Sequence, residues 1–382
     1  VIRRLTLFID SLAPGGAQKQ MVALAAGLDP ERWQVRLAWY NQTARFHTVP
    51  AHVQALPLPR KTRTDLRFLP ALAGLVSRRQ TDLVHAWLPA PALYATVAAR
   101  LPRSAPVIVA VRCSPSLFAN DPTQGHMTLA GARLAQAVTS NSRASLDWLA
   151  DRGIPRHKLH FVGNILAPAI ADRQPSTVAQ RRALLASLGL DPDRPPIVSL
   201  GRFDAYKNQD GLLRALLQVR DAGMAVPPLL LAGFLEDTAR VESVRKLARD
   251  AGFADLHIVP AVQDVPTLLE AARFSVLASR SEGTPNVVLE GLGLGTLVVA
   301  TRVGEVPDLI RHDHTGILCQ PDDDRSLAQA LREALEMPAE VAKELGRAAR
   351  ADMLQRFSAP AVIGQYEGVY LSLEGRRNGQ AP

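Results

Sequence analysis

The 382-residue chain has two cysteines, Cys113 and Cys319, far apart in sequence. Such a pair makes neither a disulfide framework nor a zinc-ligand pattern, and it suits a reducing compartment. Aromatic residues amount to 5%, and the interleaved basic and aromatic stripes of a nucleic-acid surface are missing. No apolar run reaches the length of a membrane-spanning helix. The stretch "VIRRLTLFIDSLAPGG" sets two arginines before an apolar run. That run is too short and too β-rich for a signal peptide. The expectation is a cytoplasmic protein without an export signal. A G-x-G-x-x-G fingerprint is also missing, which argues against a dehydrogenase.

What is present can build sizeable cores: 47% of the residues are hydrophobic. The length is comfortable for two domains. Charge is uneven. Residues 1–170 hold 20 Lys and Arg against 8 Asp and Glu, a balance of +12, whereas the remainder balances at −4. A basic half points to an anionic partner, such as a phosphorylated acceptor or a membrane surface, and away from nucleic acid. Its densest cluster is "RKTRTDLR", with Arg60, Lys61, Arg63 and Arg67. A solvated loop explains that cluster equally well.

Short β-rich runs alternate with amphipathic segments. "RLTLFIDS", "WQVRLAWY", "DLVHAW", "PVIVAVR", "AVTSNS" and "LHFVGN" read as strands with helices between them. After a Pro- and Ala-rich connection the alternation restarts with "PIVSLGRF", "PLLLAGF", "LHIVPAV", "FSVLAS" and "TLVVATRV". Apolar strands alternating with helices predict parallel sheets covered on both faces. The expected domains are residues 1–170, residues 171–355 and a terminal helix over 356–382 returning to the first domain. Open α/β sheets bind ligands at the carboxyl ends of their strands, so the cleft between two such domains is the natural site.

Four stretches at strand ends carry candidate chemistry. In "PGGAQKQ", Gly15 and Gly16 let a ligand approach the backbone, and the following helix start favours an anion. A tight strand-to-helix turn accounts for them as well. In "SLGRFDAYKNQ", Arg202 and Lys207 sit between a strand exit and a helix start, which suits a diphosphate. In "SRSEGTPNVVLEGLGLG", Glu282 lies in a loop and Glu290 within a helix. Thr284 is the expected N-cap and Pro285 the first helical residue. Backbone N–H groups at Gly283, Thr284 and Asn286 would then face a ligand. A carboxylate accepts hydrogen bonds from sugar or ribose hydroxyls. Gly291, Gly293 and Gly295 weaken that helix by roughly 1 kcal/mol each, which calls for close packing or close ligand approach. The fourth stretch, "VHAWLPAPALYA", places His85 at an expected strand end, and Arg112 ends the next strand. A lone histidine is more often structural than catalytic.

Two acidic runs match the D-x-D spacing of metal-dependent sugar transferases, Asp191–Asp193 and Asp322–Asp324. The first lies in a connector, and the second begins a helix, where acids suit the dipole. "RHDHTG", with His312 and His314, reads as a turn without further ligands. No metal and no cofactor is expected.

Together these stretches resemble family 4 glycosyltransferases of the GT-B fold, with two Rossmann-like doubly wound domains facing a central cleft. The resemblance runs from "PGGAQ" to "FSAPAVIGQYEGVY" and rests most on Glu282 and Glu290 within "SEGTPNVVLEGLGLGTLVVATRVGEVPDLI". It implies a nucleotide-sugar donor held mainly by the C-terminal domain. Arg202 and Lys207 would bind the diphosphate, Glu290 the ribose and Glu282 the sugar. Gly283 and its neighbours would lie near sugar and phosphate, and Gly15 and Gly16 near the phosphate. It further implies retention of configuration without a metal, a glycan or lipid-linked acceptor, and a place in polysaccharide or lipopolysaccharide synthesis at the inner membrane face. Many members carry a histidine after the strand that here reads "PVIVAV"; Arg112 stands in its place. Arg112 and His85 are therefore the acceptor or sugar contacts to weigh. Competing expectations are a nucleotide-sugar epimerase or hydrolase on the same fold, or a non-catalytic nucleotide-sugar binder.

Overall fold

The structure is a computed structural model that describes residues 2–41, 47–60, 62, 65 and 67–375. The chain divides into two compact units. Unit 1 is Val1–Ile165 with Ala359–Pro382, and unit 2 is Leu166–Ser358.

Unit 1 is built on seven strands: β1 (Arg3–Ile9), β2 (Trp33–Trp39), β3 (Gln54–Pro57), β4 (Leu83–Trp87), β5 (Val107–Val111), β6 (Ala137–Ser140) and β7 (Leu159–Phe161). They pair in parallel in the order β3-β2-β1-β4-β5-β6-β7. Strands β4, β5 and β6 are buried along their whole length, as helices on both faces require. The terminal helix Ala359–Gly375 belongs to this unit. Its buried residues Val362, Ile363, Tyr366, Val369, Tyr370 and Leu373 recur at helical spacing. Glu367 on the same helix accepts the Trp33 indole N–H at 2.6 Å.

Unit 2 has six strands: β8 (Ile197–Leu200), β9 (Leu229–Gly233), β10 (Leu256–Pro260), β11 (Phe274–Leu277), β12 (Val298–Thr301) and β13 (Ile317–Cys319). Their order is β10-β9-β8-β11-β12-β13, again parallel. The period of two is visible in the core. Ile197, Leu229, Leu231, Phe274 and Val276 pack on one face, whereas Val198 and Leu230 pack on the other. Strand order reverses between β8 and β11, and in open α/β sheets the crevice beyond such a reversal takes the ligand.

Candidate functional site

In unit 2 the reversal point is framed by the exits of β8 and β11. After β8, the Asp204 carboxylate accepts the backbone N–H groups of Tyr206 and Lys207, each at 3.0 Å. This curls the loop and turns Lys207 back over the strand exit, so closely that a Cβ on Gly201 would lie 3.2 Å from its Cε. Asn208 takes a left-handed conformation with φ 53 and opens helix Gln209–Asp221, whose first turn has no side-chain cap. Gln209 donates its amide to the Arg202 carbonyl at 2.7 Å. The Arg202 side chain is 69% exposed, with Asp204 3.6 Å away.

The β11 exit brings Glu282 to Lys207. The Lys207 Nζ donates to Glu282 Oε1 at 2.6 Å, and the Ser279 hydroxyl donates to the same oxygen at 2.7 Å. Arg280 fastens the two loops together. Its N–H donates to the Tyr206 carbonyl at 2.7 Å and its Nη1 to the Ala205 carbonyl at 2.8 Å. A third loop, after β12, supports Glu282 from behind. Thr301 donates to the Ser279 carbonyl at 2.6 Å, and the Glu305 N–H donates to the Gly283 carbonyl at 3.0 Å. Gly304 is required there: its φ is 51, and a Cβ would stand 2.4 Å from the carbonyl oxygens of both Glu282 and Gly283.

Helix Asn286–Leu294 follows, and it corrects one expectation. Pro285, not Thr284, is the cap residue, Asn286 is the first helical residue, and no side chain caps the turn. Thr284 is buried beside it. Glu290 is 8% exposed, on a helix that also buries Val288, Leu289 and Leu292. The glycines of this helix serve packing. A Cβ on Gly291 would meet Val298 at 3.0 Å and one on Gly293 would meet Leu166 at 2.7 Å. Gly295 lies against Gly346 of helix Ala339–Phe357, where a Cβ on Gly346 would come 2.1 Å from the Gly295 carbonyl. Arg350 of that helix donates to the Gly293 and Ala171 carbonyls. Two cations, a carboxylate held between loops and two helix starts therefore share one end of the sheet. That set can hold an anion and accept hydrogen bonds from hydroxyls.

In unit 1, Gly15 caps helix Gly16–Gly27 in extended conformation. A Cβ on Gly15 would meet Gln18 Oε1 at 2.2 Å, and the Gln18 amide reaches Asp10 Oδ1 at 3.3 Å. Asp10, at the end of β1, was not singled out from sequence. Burial raises its carboxyl above the usual range, and hydrogen bonds from Ser11 and Gln18 oppose that.

Arg112 leaves β5 as expected, with its guanidinium 4.4 Å from the centre of the Trp87 ring. Its Nη2 donates to Asn164 Oδ1 at 3.2 Å, while the buried Nη1 finds no hydrogen-bond partner among the described residues. Burial lowers the guanidinium from its ordinary value, and the Tyr366 hydroxyl beside it acts the other way. His85 is corrected: it lies in the middle of β4, not at its end. It is fully buried, and both ring nitrogens are engaged, by Tyr370 at 2.8 Å and Thr139 at 3.0 Å. Burial and the nearby Arg112 charge hold the imidazole well below its usual value, hence neutral. It is a core residue with no atom left for a substrate. In the "RKTRTDLR" cluster, Lys61 and Arg63 lie outside the described residues. Arg60 stands 4.7 Å from the Tyr40 ring centre, and Arg67 pairs with Asp65 at 2.7 Å.

The acidic runs are committed elsewhere. Asp193 pairs with Arg182, and Asp322 pairs with Arg280 at 2.6 Å. Asp323 caps helix Asp324–Glu336, and Asp324 pairs with Arg214 at 2.6 Å. The "RHDHTG" turn does gain a third side chain, which sequence did not reveal: Glu333 joins His312 and Asp313. The Leu318 N–H already occupies His312 Nδ1 at 3.2 Å. Burial pushes both thiols, Cys113 and Cys319, up to about 12, so neither is a thiolate near neutral pH.

Comparison with known proteins agrees with this architecture. Residues 180–352 match the family model "Glycosyl transferases group 1", and residues 14–168 match "Glycosyltransferase Family 4". N-acetyl-alpha-D-glucosaminyl L-malate synthase of Bacillus anthracis is 22% identical over 83% of this chain and 81% of its own length. Alpha-maltose-1-phosphate synthase of Mycobacterium tuberculosis is 30% identical over 51% of this chain and 52% of its own length. Among solved structures, Anabaena HepE in complex with UDP and glucose superposes with a TM-score of 0.81 at 19% identity, over 97% of this chain and all of its own. The chain belongs to the group 1 glycosyltransferases of family 4, with the GT-B fold.

Proposed function

We propose that the protein is a retaining, metal-independent hexosyltransferase that moves a sugar from a nucleoside-diphosphate sugar to a glycan or lipid-linked acceptor. We place it in cell-surface polysaccharide or lipopolysaccharide assembly, on the cytoplasmic face of the membrane. The observation that carries the reading is the joining of Lys207 to Glu282 where strand order reverses in unit 2. Three similar proteins support it: HepE was solved with UDP-glucose, and the Bacillus and Mycobacterium relatives are synthases of glycosyl products by name. No helix among the described residues is long and apolar enough to cross a membrane, so attachment in this reading is peripheral, through the basic half.

In this reading Arg202 and Lys207 hold the diphosphate, with the uncapped starts of helices Gln209–Asp221 and Asn286–Leu294 adding their partial positive charge. Glu290 accepts the ribose hydroxyls, and Glu282 accepts a sugar hydroxyl. The bond from the anomeric carbon to the diphosphate oxygen breaks, and the acceptor oxygen bonds to the same face of that carbon. The acceptor proton passes to the departing phosphate oxygen. The cations stabilise the charge as it develops on that oxygen, usually the largest catalytic contribution. On unit 1 we assign the Gly15–Gly16 turn to a phosphate and Arg112, a cation without a carboxylate partner among the described residues, to an anionic group of the acceptor.

The test incubates nucleotide sugars with candidate acceptors in EDTA and reads the product's anomeric coupling by NMR. An α-linked product from an α-linked donor is expected. An inverted product, or a covalent sugar adduct on Glu282 by mass spectrometry, contradicts the mechanism.

A further inference from the structure

A second basic feature of unit 1 lies at the opposite ends of the strands. A cavity of about 560 Å³ opens where β5, β6 and β7 begin, lined among others by Ala105 and Pro106, Ala135 and Gln136, and Lys158. Arg112 leaves the far end of β5, and five residues of strand at about 3.3 Å each put roughly 17 Å between the two. Among the described residues, four cations line the cavity, Arg78, Arg100, Arg133 and Lys158, and no carboxylate does. Two of them are anchored so that their charge stays at the wall. Lys158 Nζ donates to the Ala135 carbonyl at 2.9 Å, and Arg78 Nε donates to the Ser104 carbonyl at 2.9 Å, which leaves both Arg78 terminal nitrogens for another acceptor. The exposed Arg100 and Arg133 side chains have no ion pair among the described residues. Some cations of this unit do have a carboxylate partner, as Arg4 has Asp82 at 2.7 Å and Arg156 has Asp147 at 3.2 Å.

Four like charges around one hollow repel one another, and an anion in the hollow relieves that repulsion. The volume falls in the range of small-molecule sites and exceeds what a single phosphate fills. We propose that this cavity binds a phosphate ester, the phosphate held by Arg78, Arg100, Arg133 and Lys158. The ester is carried either by a free metabolite or by a lipid headgroup. Val97 and Leu101, 54% and 52% exposed, flank Arg100 in sequence and would meet acyl chains in the second case. The site is independent of the transferase reading.

The test uses the full chain, inorganic phosphate and vesicles. Thermal melts with increasing phosphate compare the wild type with Arg100→Glu/Arg133→Glu, with Arg202→Ala, and with Arg245→Glu/Arg347→Glu as a charge-matched control. The cavity variant should need roughly tenfold more phosphate for the same shift, the scale of losing two partly exposed ion pairs. The control should respond like the wild type. Arg202→Ala measures any phosphate held in unit 2 separately. Co-sedimentation with phosphatidylglycerol and phosphatidylcholine vesicles identifies the source. Salt-sensitive binding to the anionic vesicles, lost in Arg100→Glu/Arg133→Glu and in Val97→Asp/Leu101→Asp, assigns a headgroup. A phosphate response without vesicle binding assigns a free ester. An identical phosphate response in wild type and cavity variant, or no response to either probe, overturns the site.

Discussion

Lys207→Ala should destabilise unit 2 as well as impair transfer, and the structure sets the size. The Lys207–Glu282 contact is 2.6 Å, with side chains 21% and 14% exposed. Surface pairs contribute about 0–1 kcal/mol, and breaking a buried pair costs about 3–5 kcal/mol. A pair this enclosed, with Ser279 the hydrogen-bond donor left to the carboxylate, falls near 2 kcal/mol. The cost arises mainly from orphaning the remaining charge, so Glu282→Ala should cost about the same. The double variant orphans neither charge and should cost little more than either single one. The cycle then yields a coupling of about 1–2 kcal/mol. For a unit of this size each kcal/mol moves the midpoint by about 2–4 °C, so each single variant should melt about 4–8 °C lower by scanning calorimetry. Single losses that add in the double variant would refute the pairing, as would a loss below about 0.5 kcal/mol for Lys207→Ala, the value of an ordinary surface lysine.

Other consequences can be measured directly. His85 has a folded-state pKa far below its unfolded value, so the unfolded chain takes up its proton first. Wild-type stability should therefore fall, relative to His85→Gln, by up to about 1.4 kcal/mol per pH unit below about pH 6.5. Equal slopes in denaturant melts between pH 5 and 7.5 would show that the imidazole is not held neutral. Gly304→Ala puts a Cβ against the carbonyls of Glu282 and Gly283 at a φ of 51; a loss of about 1–3 kcal/mol is expected, with reduced turnover, and wild-type values for both would contradict the role given to that loop. Arg112→Ala should reduce acceptor turnover while leaving nucleotide affinity unchanged by calorimetry, and unchanged turnover would remove Arg112 from the acceptor side.

The long apolar strands were legible because burial on both faces leaves a run that little else produces. Of the four edge strands, β3 and β13 were not. β3 spans four residues with a mostly exposed pattern, and β13 spans three, too short for a period to register. Arg202, Lys207 and Glu282 were visible as charged residues in the loops at strand exits, and Glu290 as a charged residue among glycine and apolar neighbours in the helix that follows. What positions them was hidden by distance along the chain. Thr301 ends, and Gly304 follows, a different strand from the one before Glu282, and the glycines of helix Asn286–Leu294 make sense only once Gly346 and Arg350 are in place. His85 was misplaced for the same reason, because its partner Tyr370 lies 285 residues away. A strand histidine beside Trp87 and Pro89 looks like a residue leaving the sheet until that helix covers it. Thr284 was misread because a threonine before a proline has the composition of a cap, while the chain buries it instead.

The central claim is that the strand-order reversal in unit 2 is a nucleotide-sugar site with divided labour between its glutamates. Calorimetric titration of nucleoside diphosphates, with and without the attached sugar, tests it most directly on wild type, Arg202→Ala, Glu290→Ala and Glu282→Ala. Arg202→Ala and Glu290→Ala should bind the free diphosphate roughly tenfold or more weakly, each losing a charged hydrogen-bonding partner. Glu282→Ala should bind it nearly as wild type does while losing sugar transfer. Wild-type affinity in all three variants, or equal loss in both glutamate variants, would contradict the account.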